Sequence, residues 1–541
     1  MTALKRNAVA RWVIAATLFV AGSCAPVSHG PLANPQAPYD TAEAEKTFTF
    51  GYTSIVERHL ERVNAASVAM EGMRGFAAID PEINVQRLDG KLLLTASDHV
   101  AAEYPVPADD DVRGWARLTV TVALEARGLS AKMQDADLEK IYEAAFDATL
   151  AKLDLFSRYA GAKEAREHRA SRNGFGGLGI KFDLVEGESK ITEVMEETPA
   201  AHAGLQPGDI ITHIEGESLA NLAKDDISKR LRGPVSSSIS LTVRRGFKPL
   251  ELSLRRGLIV PPTVTTQLKD GIGEFKITSF NQHTAQSVKQ GLEHLIAQNG
   301  SPLKGVVLDM RGNPGGLLDQ AVAMSDLFMK EGPIVSTKGR SPLASQAYEA
   351  REGDIGENVP VVVVVDGKSA SAAEIVTAAL QDSGRAVVIG TNSYGKGTVQ
   401  TVIQMPNDGE MTLTWSRFHT PSGYALHGLG VLPTLCTSDE NANPAALMDG
   451  VVHASASPAP ITANLTLWRH ARLDETDLRK QLRATCPSAK HGDAKLDMEL
   501  AEKLLQDQAL YRTALSLSAP ISTTAAQALD PATVSTRQIE H

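Results

Sequence analysis

Five consecutive valines, Val361 to Val365, constrain this chain more than any other stretch. An unbroken β-branched run suits a strand buried on both faces, as in a parallel or mixed sheet covered by helices. The run ends at Asp366-Gly367-Lys368-Ser369-Ala370-Ser371. Ala372 to Gln381 then reads as a helix, with Ile375, Ala378 and Ala379 turned inward at three-to-four spacing. Ser371 is thereby predicted at a strand-to-helix turn, just before a helix N-terminus. There its hydroxyl can project, while free backbone N–H groups and the helix dipole can stabilise an oxyanion. Other nucleophilic serines occupy such a turn. The plainer reading of Ser371 is a helix cap, since Ser is a preferred N-cap and Glu374 stands three residues on, as in a capping box.

A serine needs a base to take its proton. The next unusual stretch is Tyr394-Gly395-Lys396-Gly397-Thr398-Val399-Gln400. Lysine can act as that base once burial lowers its pKa from about 10.4 toward neutrality. The flanking glycines allow a tight turn and close backbone approach. A solvated loop lysine is the plain alternative. A phosphate-binding lysine is disfavoured, because no G-x-x-x-x-G-K-[ST] run precedes Lys396.

Ser369-Ala370-Ser371-Ala372-Ala373-Glu374-Ile375, the Tyr394–Gly397 turn and Gln400 together resemble the signature of carboxyl-terminal processing peptidases, also called tail-specific proteases. The resemblance implies Ser371 as nucleophile, Lys396 as general base and Gln400 as the residue that orients the lysine. It also implies a serine-type endopeptidase with a Ser/Lys dyad, working without cofactor or metal. Lys368 stands where the family usually has glycine, and is a distant rival base. The loop Met310-Arg311-Gly312-Asn313-Pro314-Gly315-Gly316, after the buried-strand pattern Gly305 to Asp309, resembles the same family. The expectation is that Gly315 or Gly316 supplies one oxyanion N–H and Ala372 the other. Glu374 and Asp382 are expected as supporting residues. A carboxylate at the end of the helix opposes its dipole, so Asp382 is expected to have a partner, with Arg385 the candidate. His419 and His427 are the residues a competing Ser-His-Asp arrangement would use.

Upstream, Gly174-Phe175-Gly176-Gly177-Leu178-Gly179-Ile180 and Thr198-Pro199-Ala200-Ala201-His202-Ala203-Gly204-Leu205-Gln206-Pro207-Gly208-Asp209 look like a PDZ domain. Such a groove adds a peptide as an extra strand while loop N–H groups capture its terminal carboxylate. Gly177, Leu178, Gly179 and Ile180 are the implied peptide-binding residues. The partners implied are proteins or peptides with free C-termini. The resemblance leaves room for a homo-oligomer.

With 541 residues, several domains are expected. The net charge of -10 argues against a nucleic-acid partner. Lys5, Arg6 and Arg11 precede an apolar stretch, Trp12 to Ala21, too short to span a bilayer. Residues 1–24 therefore read as a signal peptide. Val20-Ala21-Gly22-Ser23-Cys24 resembles a bacterial lipoprotein cleavage box, with Cys24 as the lipidation site; plain signal cleavage is the alternative. Either way the expected location is the periplasm, with membrane attachment through Cys24 where it is lipidated. The remaining cysteines, Cys436 and Cys486, are a candidate disulfide in an oxidising compartment, against two unrelated buried thiols.

The predicted class is α/β, an α+β multidomain chain with a crotonase-like, ClpP-like peptidase core, an inserted PDZ domain and helical N- and C-terminal regions. The expected divisions are a proline-rich linker at 25–40, a mostly helical domain at 41–165, the PDZ domain at 166–258 and the Ser/Lys peptidase core at 259–436. A helical region at 437–515 and a disordered tail at 516–541 follow. Helices are predicted within 53–63, 111–128 and 135–154, with a strand pair at 84–96 turning at Asp89-Gly90. The segment Leu153 to Tyr159 resembles the family's pre-PDZ motif and receives no chemical role. A catalytically silent PDZ scaffold that only binds peptides is the alternative function.

Overall fold

A computed structural model describes residues 39–351, 354–356, 359–439, 443–454, 460–488 and 494–518. Cys24, the signal and nearly all of the linker lie outside the described residues.

The valine run forms the strand Val361–Val365, central in a six-stranded sheet. It pairs in parallel with Gly305–Asp309 on one side and Ala386–Gly390 on the other. All five valines are fully buried. Side chains alternate across a strand, so Val361, Val363 and Val365 face one core and Val362 and Val364 the other. The first core is closed by the helices Thr284–Asn299, Leu318–Asp326 and Ala372–Asp382. The second is closed by Ala494–Gln506 and Gln508–Ser518. The Tyr511 hydroxyl also accepts the Val361 N–H at 2.9 Å. The C-terminal helices thus supply the second cover that an all-apolar strand demands. Each buried valine is worth roughly 1.5–3 kcal/mol relative to exposure.

A second sheet holds Gln346–Glu349, Pro333–Gly339, Glu410–His419 and Thr398–Gln404 in that order. The short strand Arg158–Ala160 joins it by pairing with Glu410–His419. Cys436, in the edge strand of the valine sheet, is bonded to Cys486.

The N-terminal part is helical at Thr41–Arg58, Ala65–Arg74, Val112–Leu129 and Leu138–Leu153. Phe48, Tyr52, Trp115 and Phe146 are buried among these helices. The helix expected over 53–63 ends at Arg58, where His59 turns to pair with Asp154. The predicted strand pair is Ile83–Leu88 with Lys91–Ala96, turning at Asp89-Gly90, both at positive φ. A third strand, His99–Pro105, pairs with Lys91–Ala96 beyond the expected pair; it is mostly exposed, and its Val100, Ala102 and Tyr104 alternate only weakly.

The PDZ part is a sheet of five strands in line, closed by the helix Lys224–Leu231 around Phe182, Ile211, Ile227 and Leu241. The helix Ala162–Asn173 crosses the division expected at 165/166, and its Arg169 and Arg172 grip the buried Glu410 of the second sheet. At the other end Gly257–Ile259 pairs with Phe175–Gly177, crossing the expected 258/259 division. Insertion of one domain into another brings both of its ends to one place, and these elements tie them. Downstream, the last helix extends to Ser518, past the helical boundary expected at 515.

Candidate active site

Ser371 caps the helix Ala372–Asp382 and adopts φ 56°, ψ -115°. Positive φ is unusual for a residue with a side chain and costs on the order of 1–3 kcal/mol. The strand delivers the chain under the helix, and the sharp turn lifts Ser371 out of line. Neighbouring loops hold that turn. The Ala370 N–H donates to the Asn313 carbonyl at 2.9 Å, and the Ser369 hydroxyl donates to the Met310 carbonyl at 2.9 Å.

The glycine loop lies directly against the serine. A Cβ on Gly315 would meet the Ala370 carbonyl at 2.7 Å, the Ser371 Cβ at 2.8 Å and the Ala372 nitrogen at 2.9 Å. Gly315 sits at φ 96°, so both space and conformation require glycine. Its own N–H donates to Asn313 Oδ1 at 2.8 Å.

Glu374 is fully buried and joins the serine to the lysine turn. Its carboxylate accepts from Ser371 N–H at 2.8 Å, Gly395 N–H at 2.7 Å, Lys396 N–H at 2.9 Å and the Ser393 hydroxyl. Burial pushes its pKa up, and those donors pull it back. Without partners such a carboxylate would not tolerate full burial.

The Gly395–Gly397 turn is clasped from its far side. Gly428 N–H donates to the Gly395 carbonyl, and Phe418 N–H to the Gly397 carbonyl, both at 2.8 Å. A Cβ on Gly397 would fall inside the main chain of His427. Gly397→Ala is therefore expected to push the lysine turn outward. It should cost about 1–3 kcal/mol of stability as overpacking. It should cost about a hundredfold in kcat if the turn moves by about an ångström. Thermal melting and peptide cleavage on one preparation measure both.

Lys396 is largely buried, and burial lowers its pKa; the charge of Arg158 lowers it further, while Glu374 and Asp154 act the other way. Its Nζ lies 5.2 Å from the centroid of Phe156. Phe156 also meets the His427 ring edge-on at 6.2 Å. The loop bearing Phe156 is set by Asp154, which accepts from Phe156 N–H at 2.7 Å, the Ser157 hydroxyl at 2.7 Å and the Thr414 hydroxyl at 3.0 Å, and pairs with His59 at 3.1 Å. Desolvation works to raise the Asp154 pKa, and these hydrogen bonds outweigh it, leaving the carboxyl well below the usual range.

The sequence assigns no chemistry to 154–157. Its only signal was the Asp-Leu-Phe-Ser order, in which the Asp side chain caps the turn that follows. Gln400 donates to the hydroxyls of Thr398 at 2.8 Å and Thr414 at 3.3 Å. Lys368 is exposed, with its N–H on Asp366. Asp382 is paired, though not with Arg385. It accepts from Arg469 Nε at 2.9 Å and from the Ser422 hydroxyl at 2.6 Å. Arg385 follows the helix end into the next loop and pairs with Asp354 at 2.6 Å. Proximity in sequence misled because the helix C-terminus faces Arg469 across the fold. His419 and His427 each bury an Nδ1 without a partner, and burial is the main cause that lowers both pKa values.

In the PDZ part, a cavity of about 240 Å³ is lined by Gly177, Leu178, Gly179, Ile180, Phe182 and Leu231, among others. The four expected peptide-binding residues therefore share one mainly apolar groove with the domain's helix.

A strained serine at a helix start, tied through a buried carboxylate to a desolvated lysine, belongs to hydrolases that use a serine nucleophile. Residues 271–436 match the model of peptidase family S41, and residues 190–245 that of a PDZ domain. A carboxy-terminal-processing protease of Bartonella bacilliformis is 38% identical over 303 residues, which cover 55% of this chain and 70% of that protein. A probable CtpA-like serine protease of Staphylococcus haemolyticus is 32% identical over 297 residues, covering 54% of this chain and 59% of that protein. A solved photosystem II D1 C-terminal processing protease matches 72% of this chain and 92% of its own at 20% identity, with a TM-score of 0.36. The chain belongs to peptidase family S41, as a serine-type peptidase that carries a PDZ domain.

Proposed function

We propose that this chain is an exported endopeptidase that takes polypeptides by their C-terminal end in the PDZ groove and cleaves them through a Ser371–Lys396 acyl-enzyme mechanism. The observation that carries the reading is the Glu374 carboxylate. It accepts the amides of both Ser371 and Lys396, so the hydroxyl-bearing turn and the lysine-bearing turn are held by one group. Ser371 attacks the scissile carbonyl; neutral Lys396 takes the hydroxyl proton and returns it to the leaving amine. The first-turn N–H of Ala372 is one oxyanion donor. Gly316 is the better second donor, because the Gly315 N–H is already spent on Asn313. Gln400 is assigned the orienting of the lysine on the family resemblance; its amide donates to the hydroxyls of Thr398 and Thr414.

Digestion of an unfolded protein such as casein, with Ser371→Ala as control, tests the function. Cleavage lost in the variant is the expected outcome. No cleavage by the unaltered chain, with peptide binding retained, would leave only the peptide-binding scaffold. The pH profile tests the base. Lysine acts when neutral, so activity should rise through the pKa of Lys396, which burial places below the ordinary value of about 10.4. A histidine base would instead give a limb at or below about 6.5, since burial lowers both candidates. Such an acidic limb, abolished by replacing His419 or His427, would refute the lysine.

The bridge between Cys436 and Cys486 supports an oxidising compartment, in keeping with the periplasm. No helix of the described residues is long and apolar enough to cross a membrane. Attachment is assigned to a lipid on Cys24 because Val20-Ala21-Gly22-Ser23-Cys24 resembles a lipoprotein cleavage box. Labelling of cells with a tagged fatty acid should mark the unaltered chain and spare Cys24→Ser; equal labelling of both would rule the anchor out.

A further inference from the structure

We propose that Arg483 is a positioning residue for Lys396, held in place by the Cys436–Cys486 bridge; this deepens the Ser–Lys reading and rests on it. Arg483 lies near the end of the helix Thr476–Ala484, outside the stretch that matches the peptidase family. Its Nη1 donates to the carbonyl of Ser393 at 3.2 Å and to that of Leu429 at 2.6 Å. Those carbonyls belong to the two loops that clasp the lysine turn. Ser393 precedes it and sends its hydroxyl to Glu374, which accepts the Lys396 amide. Leu429 follows Gly428, whose N–H holds the Gly395 carbonyl. One guanidinium nitrogen, Nη1, therefore draws both sides of the clasp together.

The arginine is anchored in turn. Its own carbonyl accepts from Asn392 Nδ2 at 2.7 Å, and the Cys486 carbonyl accepts from Asn392 N–H at 3.3 Å. Cys486 is covalently tied to Cys436 on the edge strand of the valine sheet. The line from the disulfide to Arg483, Ser393, Glu374 and Lys396 is continuous. Charge around the base is shared among several elements. Glu374 faces Lys396 from the nucleophile helix, Asp154 and Arg158 from the segment carrying Phe156, and Arg483 faces Glu374 from the C-terminal helix.

Loosening the clasp would admit water to Lys396 and let its pKa return toward the ordinary value. The rising limb of activity must then move to higher pH. A purely structural arginine would lower the folded fraction and leave the limb where it was.

The test uses the full chain with Arg483→Met, Arg483→Lys and the pair Cys436→Ser/Cys486→Ser. Cleavage of a fluorogenic peptide is followed from neutral to alkaline pH, with active-site titration by a serine-reactive phosphonate. The expected result for Arg483→Met is a fall in kcat of about tenfold or more per titrated site, with KM nearly unchanged and the limb moved up. Arg483→Lys should restore part of the rate, and the cysteine pair should shift the limb in the same direction. An unmoved limb, with kcat per titrated site unchanged, would overturn the proposal. Should Arg483→Met fail to fold, an unmoved limb in the lysine and cysteine variants would do the same. Lys396→Ala separates the two readings. If it is inactive while the Arg483 variants keep the limb, only this inference fails; if it is active, the Ser–Lys reading itself fails.

Discussion

Lys396→Ala should lower kcat by ~10²–10⁴-fold, the range that a positioned general base contributes, while the chain stays folded. The lysine stem occupies a partly apolar site over Phe156, and its removal vacates a desolvated cation rather than breaking a pair at hydrogen-bond distance. Melting temperature should hold or rise slightly, because an amine whose pKa burial lowers is harboured at a cost. KM should change little, since the PDZ groove that receives the peptide is built from other residues. Lys396→Arg should be as inactive as alanine, because guanidinium stays charged at every workable pH. Cleavage of one peptide over a pH series, with melting of each variant, checks all of this. Retained activity in either variant would remove the lysine from the mechanism.

Glu374→Ala is expected to do damage of a second kind, in stability as well as rate. Truncation leaves the amides of Ser371, Gly395 and Lys396 and the hydroxyl of Ser393 without their acceptor. Each orphaned buried donor costs about 1–3 kcal/mol. Water admitted to the vacated space would recover part of that, so a net loss of several kcal/mol is expected. The strained backbone of Ser371 would also lose a hydrogen bond that holds it. Because the serine and lysine turns are no longer joined, kcat should fall by about a hundredfold or more. Glu374→Gln keeps one acceptor oxygen but points an amide N–H₂ at other donors, so it should be milder in stability and still impaired in rate. Denaturant unfolding beside peptide cleavage measures both. A Glu374→Ala chain of unaltered stability would show that the carboxylate joins nothing.

Much of the core was legible because its signals are local. Five valines in a row suit a strand with two covered faces, and Gly367 with the serines breaks the run. Asp89-Gly90 announces a hairpin turn, and the hairpin is there. The strand His99–Pro105 is hard to read from sequence because Val100, Ala102 and Tyr104 alternate only weakly among small and polar neighbours, and the strand is mostly exposed. The partner of Asp382 is not legible in local sequence, because nearby Arg385 pairs with Asp354 and the true partner, Arg469, comes from a helix far along the chain. Likewise, nothing in the order of residues 437–518 says that those helices cover one face of the valine strand.

The chain's order by itself determined the strand, the serine turn, the glycine-flanked lysine and the glycine-rich loop of the PDZ domain, because each follows from conformational preferences of neighbouring residues. Only the tertiary structure decided what surrounds them. It set one carboxylate between serine and lysine, an aromatic ring against the lysine, and an arginine from beyond the peptidase stretch across the clasp. The physical reason is range. Backbone geometry is chosen within a few residues, whereas desolvation and the pairing of buried polar groups depend on whatever the folded chain brings alongside.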